Sequence, residues 1–148
     1  MKRTKLFHSS ERGTTLVEFA IALTVFLTAM FAVIEFGRCL WVHNALTDAA
    51  RRGARYAVLH SNTDVDSVKN VVVYGDPAGG SQSVVPNLTT ANVNVSYDSI
   101  AVNKGTATVS ITSYQFQFVV PIIGTSITMP SYSTTLPGES AGFIPVNK

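Results

Sequence analysis

Residues 13–36, with the sequence GTTLVEFAIALTVFLTAMFAVIEF, decide the architecture of this chain. Within them, residues 16–36 carry only two charged side chains, Glu18 and Glu35. As a helix rising 1.5 Å per residue, residues 16–36 extend over about 31 Å, close to the hydrocarbon thickness of a bilayer. A cleavable secretory signal has a shorter apolar region, of about 7–15 residues, and a small-residue site after it. The stretch therefore predicts a helix that stays in a membrane.

A short basic leader, residues 1–13, precedes this stretch. Its four cations and one acid, Glu11, sum to +3, whereas the other residues carry 7 basic and 8 acidic side chains and sum to −1. By the positive-inside rule the leader predicts a cytoplasmic N-terminus, although Arg38 on the far side weakens the asymmetry. Because the basicity lies in the leader, it gives no ground for a nucleic acid partner.

The helical pattern continues beyond the predicted span to about His60, since residues 1–63 contain no proline. The outer half is amphipathic, and we expect its apolar face to pack on the chain's own domain, with Asp48 paired to Arg51 or Arg52. Small residues recur every four positions, a pattern that lets another backbone approach closely. They form an inner ridge (Ala20, Thr24, Thr28 and Ala32) and an outer ridge (Ala45, Ala49, Gly53 and Ala57). The inner ridge is a candidate surface for packing between subunits.

Residues 61–148 are rich in Val, Thr, Ser, Asn, Gly and Pro. Residues 65–74 fit either a short helix or a strand. Alternating apolar residues that begin at Val93 and at Ala107 predict two strands. A phase change near Thr112 and Ser113 predicts a bulge or a strand that crosses between two faces. Residues 121–126 are expected to turn the chain, so that residues 126–129 pair back.

The predicted fold class is α+β, with a long N-terminal helix packed on a small antiparallel β-sheet. The predicted parts are a cleavable basic leader (1–13), a transmembrane helix (14–37), an extracytoplasmic continuation of that helix (38–60) and a small β-rich exported domain (61–148). Charged residues make up only 14% of the chain, against about 25% in soluble domains.

Gly13, followed by four residues, Glu18 and the aromatic Phe19, resembles the processing site of type IV pilin-like proteins. The similarity narrows to the TadE family, the minor pseudopilins of the bacterial tight-adherence (Flp pilus) machinery. It rests on Val17-Glu18-Phe19-Ala20, Ile34-Glu35-Phe36-Gly37-Arg38, Ala45 and Ala49-Ala50-Arg51-Arg52-Gly53-Ala54-Arg55. It extends from Gly13 to about Val58, roughly a third of the chain.

The resemblance implies that a prepilin peptidase cuts between Gly13 and Thr14. It also assigns Glu18 and Phe19 to subunit register and assembly. The new Thr14 amine is largely cationic at neutral pH, and it could meet Glu18 of a neighbouring subunit. Each charge alone is costly in an apolar bundle, and the pair is less so. Glu18 could instead be satisfied by its own N-terminus, one turn earlier, or by lipid headgroups.

Glu35 and Arg38 lie three residues apart at the predicted outer membrane surface. One interpretation is an ion pair between them, and the other is a heterotypic contact with a second minor pseudopilin. The single cysteine, Cys39, cannot form an internal disulfide. A small apolar residue is the favoured interpretation, and a reactive or pairing thiol is the alternative.

No signature of catalysis is present: the sequence has no G-x-S-x-G, no P-loop and no C-x-x-C. Asp64 and Asp66 alone are a weak calcium indication, because an EF-type loop needs more oxygen ligands. We therefore expect a chain that is not an enzyme and uses no cofactor.

These observations favour a minor pseudopilin, processed after Gly13, that acts in assembly or initiation of a tight-adherence (Flp, type IVb-like) pilus. The expected partners are the prepilin peptidase, TadF-like and other minor pseudopilins, Flp-type pilins, the inner-membrane assembly platform and the lipid bilayer. The expected location is the bacterial inner membrane, in a single pass with a periplasmic C-terminal domain, or a pilus built from there. The alternative is an uncleaved, membrane-anchored exported protein whose β-rich domain binds a partner or ligand.

Overall fold

A computed structural model describes residues 11–60, 64–101, 104–119 and 125–138. Its helices are α1 (Glu11–Leu59) and α2 (Val65–Tyr74), with a single 3-10 turn at Thr90–Asn92. Its strands are β1 (Val93–Ala101), β2 (Lys104–Ile111), β3 (Gln115–Gln117), β4 (Ser126–Thr128) and β5 (Tyr132–Pro137). The 49 residues of α1 extend over about 73 Å. The predicted α+β fold, a long helix packed on a small antiparallel sheet, is confirmed.

The strands form two separate antiparallel sheets. One has the order β1-β2-β5, and the other consists of β3 and β4 alone. Val95 pairs with Val109, and Ile111 pairs with both Val93 and Tyr132. Alternate residues of β2 are fully buried (Ala107, Val109 and Ile111). This alternation is typical of a strand with one face on the core.

The outer half of α1 forms the spine of the folded domain and packs against α2, β2 and β5. Its buried stripe comprises Val42, Leu46, Ala49, Ala50, Ala54 and Ala57. Gly53 is the tightest position, because a Cβ there would overlap Cγ2 of Val72 and lie 3.2 Å from Cγ1 of Val109. On the exposed side, Asp48 pairs with Arg51 at 3.6 Å. The predicted amphipathic packing is therefore confirmed, and the outer ridge is used within the chain.

The segment that fitted either a helix or a strand is helical, as α2. The helix ends at Gly75, which adopts a left-handed φ of 80° and donates its N–H to the carbonyl of Val71 at 3.0 Å. This is a common glycine termination of helices. Val68 and Val72 of α2 are fully buried, so the helix closes one side of the core.

The phase change near Thr112 and Ser113 marks a crossing between the two sheets. β2 ends at Ile111, Ser113 adopts a φ of 57°, and the chain then enters β3. The predicted return of the chain is confirmed as β4, with Ile127 opposite Phe116. Most of the predicted turn before β4 falls on residues 120–124, which lie outside the described residues.

Candidate functional site

The inner half of α1, residues 13–34, extends from the folded domain as an exposed helix. Every one of these residues is exposed except Ala32, which is half-buried. Among the described residues, α1 is the one helix long and apolar enough to cross a membrane, and its most apolar window is not buried at all. The helix is compatible with single-pass anchoring in a bilayer.

Gly13, Thr14 and Glu18 line one shallow surface depression near the N-terminal end of this inner half. Thr14 and Glu18 are four residues apart and therefore neighbours on successive turns of one helix face. A Cβ on Gly13 would meet no atom within 4 Å, so packing does not require glycine at this position. Phe19 is 64% exposed. The residues predicted for cleavage and register are therefore gathered on an accessible stretch of α1.

The inner ridge contains two threonines whose hydroxyl groups bond within the helix. Thr24 donates its hydroxyl to the carbonyl of Ala20 at 2.8 Å, and Thr28 donates to the carbonyl of Thr24 at 2.8 Å. Such bonds to the preceding turn are a known option for Ser and Thr inside helices. The ridge therefore presents small side chains whose polar atoms already have partners.

Glu35 is the point at which the folded domain first covers α1, and it is only 8% exposed. Its Oε2 accepts hydrogen bonds from Nε and Nη2 of Arg38 at 3.2 and 2.9 Å, and its Oε1 accepts the backbone N–H of Val119 at 3.0 Å. Arg38 also donates to the carbonyl of Gln117 and places Cζ 4.5 Å from the ring centroid of Phe116. These charge-assisted bonds fasten the end of β3 to the helix.

The predicted ion pair between Glu35 and Arg38 is confirmed. In addition, Arg38 binds Gln117 of β3, and Glu35 binds Val119, two residues after β3. The suggested contact with a second pseudopilin stays a prediction. Arg38 is the more accessible of the two residues for such a contact, because its side chain is 39% exposed. Sequence reasoning did not find Gln117 and Val119 as partners. No side-chain pattern marks them, because the bonds are formed by backbone atoms.

The chain from Phe116, in β3, to Val119, two residues after β3, runs along α1 toward the inner half of the helix. Its contacts move from Arg38, at Phe116 and Gln117, to Glu35, at Val119. Beside it lies a cleft of about 210 Å³ between the helix and β3, whose lining includes Arg38, Trp41, Tyr114, Phe118 and Val119. Several large apolar side chains of this region are exposed (Phe36, Leu40, Trp41, Val119 and Ile127).

Two tyrosines tie this region to the rest of the domain. The Tyr114 hydroxyl donates to the carbonyl of Pro86 at 2.7 Å, and the Tyr132 hydroxyl lies 2.9 Å from Nδ1 of His43. Burial raises the pKa of both phenols above the ordinary value, and the nearby Arg38 partly opposes this for Tyr114. Both phenols therefore stay neutral at physiological pH.

The described residues hold no cluster of three or more His, Cys, Asp or Glu side chains that could bind a metal ion. Asp64 and Asp66 therefore have no third ligand of these types within that part of the chain. Cys39 is half-buried and packs against the core, as expected for a small apolar residue.

Residues 13–55 match the family model described as TadE-like protein. The matched segment begins at the predicted cleavage glycine and ends in the outer half of α1, so it covers the exposed helix and most of the buried stripe. No curated protein and no solved structure matches the chain. The resemblance to TadE-like proteins is therefore confirmed over residues 13–55.

Proposed function

We propose that this chain, whose residues 13–55 match the TadE-like family, is a minor pseudopilin of a tight-adherence pilus system. A prepilin peptidase cuts it between Gly13 and Thr14, and the mature chain acts in assembly or initiation of the pilus. The family match supports involvement in such a system. The role is that of a structural subunit, without catalysis and without a cofactor.

One observation carries the proposal: residues 13–34 form an exposed apolar helix with a single carboxylate, Glu18, on its first turns. The helix extends about 33 Å beyond the residues that the folded domain covers. A soluble protein would hide such a surface, because exposed apolar patches of this size mark membrane or protein contacts. The helix therefore suits a subunit that is stored in a bilayer and later packs against other helices.

The charge on Glu18 acts when the helix packs against the helices of other subunits. Cleavage creates a cationic amine on Thr14, and Glu18 lies one turn away on the same face of an accessible helix. When subunits stagger along a bundle, the amine of one meets the carboxylate of the next. Polar pairs in apolar seams specify register more than they add stability.

The proposed partners are those that the resemblance to TadE-like proteins implies. The prepilin peptidase acts on Gly13 and Thr14, and the bilayer holds the inner half of α1. TadF-like and other minor pseudopilins, Flp-type pilins and the inner-membrane assembly platform contact the helix during assembly. In this arrangement the N-terminus is cytoplasmic, and the folded domain lies on the periplasmic side of the bacterial inner membrane.

Intact mass spectrometry of the chain, expressed with the cognate peptidase, tests the proposal. The expected mature protein begins at Thr14 and has lost 13 of its 148 residues. Gly13→Val should leave the precursor uncut, while Gly37→Val, at another helix position where a Cβ meets nothing within 4 Å, should be cut normally. A wild-type chain that still begins at Met1 would favour the uncleaved membrane-anchored protein instead.

A further inference from the structure

We infer that the edge formed by the ends of β3 and β4 rests on the outer surface of the lipid bilayer, as a second membrane contact beside α1. This inference requires that α1 spans the membrane. It does not require cleavage after Gly13 or assembly into a pilus.

The position of Val119 along α1 carries the inference. Its backbone N–H lies 3.0 Å from Oε1 of Glu35, so Val119 is level with Glu35 on the helix. Counted from Leu16, Glu35 is the twentieth residue of the apolar stretch, about 30 Å along the helix, which equals the hydrocarbon thickness of a bilayer. With the inner half of α1 in the membrane, Val119 is therefore at the lipid boundary.

The exposed chemistry of this edge fits lipid. Val119 is 72% exposed and Ile127 is 49% exposed. Residues 105–138, which include all of β3 and β4, contain no charged side chain. Exposed apolar side chains that continue the surface of a membrane span favour contact with the same lipid. Arg38, which contacts Phe116 and Gln117 beside this edge, is bonded to Glu35, so little of its charge must be dehydrated when the edge meets the bilayer.

The remaining side chains indicate a position at the interface and not within the hydrocarbon. Gln115 and Gln117 alternate with the buried Phe116 and are exposed, so they can bond to lipid headgroups. Trp41 is 56% exposed and lines the cleft with Val119. Tryptophan concentrates at the headgroup level of membranes. The edge and the start of the outer half of α1 thus form one continuous surface at the headgroup level.

Fluorescence quenching in vesicles tests the inference. The full chain, in a Cys39→Ala background, is labelled with an environment-sensitive fluorophore at Val119→Cys and reconstituted into phosphatidylethanolamine–phosphatidylglycerol vesicles with brominated acyl chains. The matched control carries the label at Ser96→Cys, an exposed position that pairs with Thr108 in the other sheet. The emission of Trp41, the single tryptophan, reports independently on the helix in the unlabelled chain.

We expect severalfold stronger quenching at position 119 than at position 96, together with quenching of Trp41. Introducing Val119→Asp into a chain labelled at Ile127→Cys should weaken quenching there, whereas Ser96→Asp should not. Equal quenching at positions 119 and 96, with Trp41 quenched, would overturn the inference and leave α1 in the membrane. A lack of quenching at all three sites would overturn both the inference and the placement of α1 in the membrane. Processing after Gly13 is read separately by mass and is unaffected by either result.

Discussion

The backbone N–H of Val119 donates a hydrogen bond to the buried carboxylate of Glu35, 84 residues earlier in the chain. This bond joins the end of β3 to the helix at the level where the apolar span ends. On the N-terminal side of Glu35, α1 is exposed. On the C-terminal side, α1 packs against the folded domain. The Glu35 carboxylate therefore marks the boundary between the exposed part of α1 and the part that the folded domain covers.

Replacing Glu35 should loosen this junction. Glu35→Ala removes the acceptor of the Val119 N–H and the ion-pair partner of Arg38. A hydrogen bond to a charged group contributes about 1.5–3 kcal/mol. Because Val119 is 72% exposed, water can replace part of this bond, and we expect a smaller loss, of about 1 kcal/mol, in the free energy of unfolding. Urea titration of the full chain in detergent, followed by Trp41 emission, measures it. Glu35→Gln keeps a carbonyl oxygen for Val119 and should lose less, and equal losses for Ala and Gln would contradict the assigned role of the acceptor.

Gly53→Ala should destabilise the domain through steric overlap. The added Cβ overlaps Cγ2 of Val72 in a filled core, and overpacking costs about 1–3 kcal/mol. Gly37→Ala is the matched control on the same helix, because nothing lies within 4 Å of its Cβ position. Its effect should be neutral, or stabilising by up to about 1 kcal/mol from helix propensity. Thermal unfolding by circular dichroism distinguishes the two variants, and equal melting temperatures would refute the close approach of α1 and α2 at Gly53.

Glu18→Gln should separate processing from assembly. The side chain is exposed and lies outside the folded domain, so the variant should fold normally and still be cut after Gly13. Without its negative charge it cannot pair with the Thr14 amine of a neighbour, and piliation should fall sharply. Electron microscopy and immunoblotting of sheared pili measure this. Glu18→Asp keeps the charge and should retain part of the piliation, whereas normal piliation of Glu18→Gln would rule out the register role.

The domain should lose stability at alkaline pH. Burial raises the folded-state pKa of Tyr114 and Tyr132 above the ordinary value of about 10. Their contribution is therefore complete below about pH 10 and falls as the pH rises through the folded-state pKa. Urea titrations of the full chain at stepped pH values between neutral and strongly alkaline would follow this decline.

Tyr114→Phe supplies the control for that decline. It removes the ionisable phenol together with its hydrogen bond to Pro86. Stability at neutral pH should fall by about 1 kcal/mol, and the alkaline decline should become shallower. An unchanged alkaline slope would show that other groups dominate it.

Much of the helix could be predicted from sequence, because its signals are local. The apolar stretch, the four-residue spacing of Ala49, Gly53 and Ala57, and the Asp48–Arg51 pair all follow from helical periodicity. The ambiguity of residues 65–74 was resolved only by the core, since valines at i and i+3 suit a helix once a partner surface exists. β5 lacked a distinctive pattern, because Ser133, Thr134 and Thr135 do not alternate clearly between apolar and polar side chains.

The junction at Glu35 was predicted only in part. The three-residue spacing to Arg38 indicated their ion pair, and a charge beside an apolar span indicated a use for it. The partner, two residues after the end of β3, is a backbone N–H, which every residue but proline has, so no sequence signal selects Val119. Long-range contacts of this kind depend on where two sheets end, and the phase change at Ser113 indicated only that a boundary exists.

The hydroxyls of Thr24 and Thr28 have a consequence for transfer between environments. Each donates to a carbonyl of its own helix, so neither needs lipid, water or a neighbouring helix as a partner. In the proposed transfer from a bilayer into a protein bundle, the inner half can therefore keep both of these hydrogen bonds. Moving the helix then changes only which surface packs against its small side chains, and reversal is equally unobstructed. In the proposed assembly, the same helix, with the same internal hydrogen bonds, would serve in the bilayer and in the bundle.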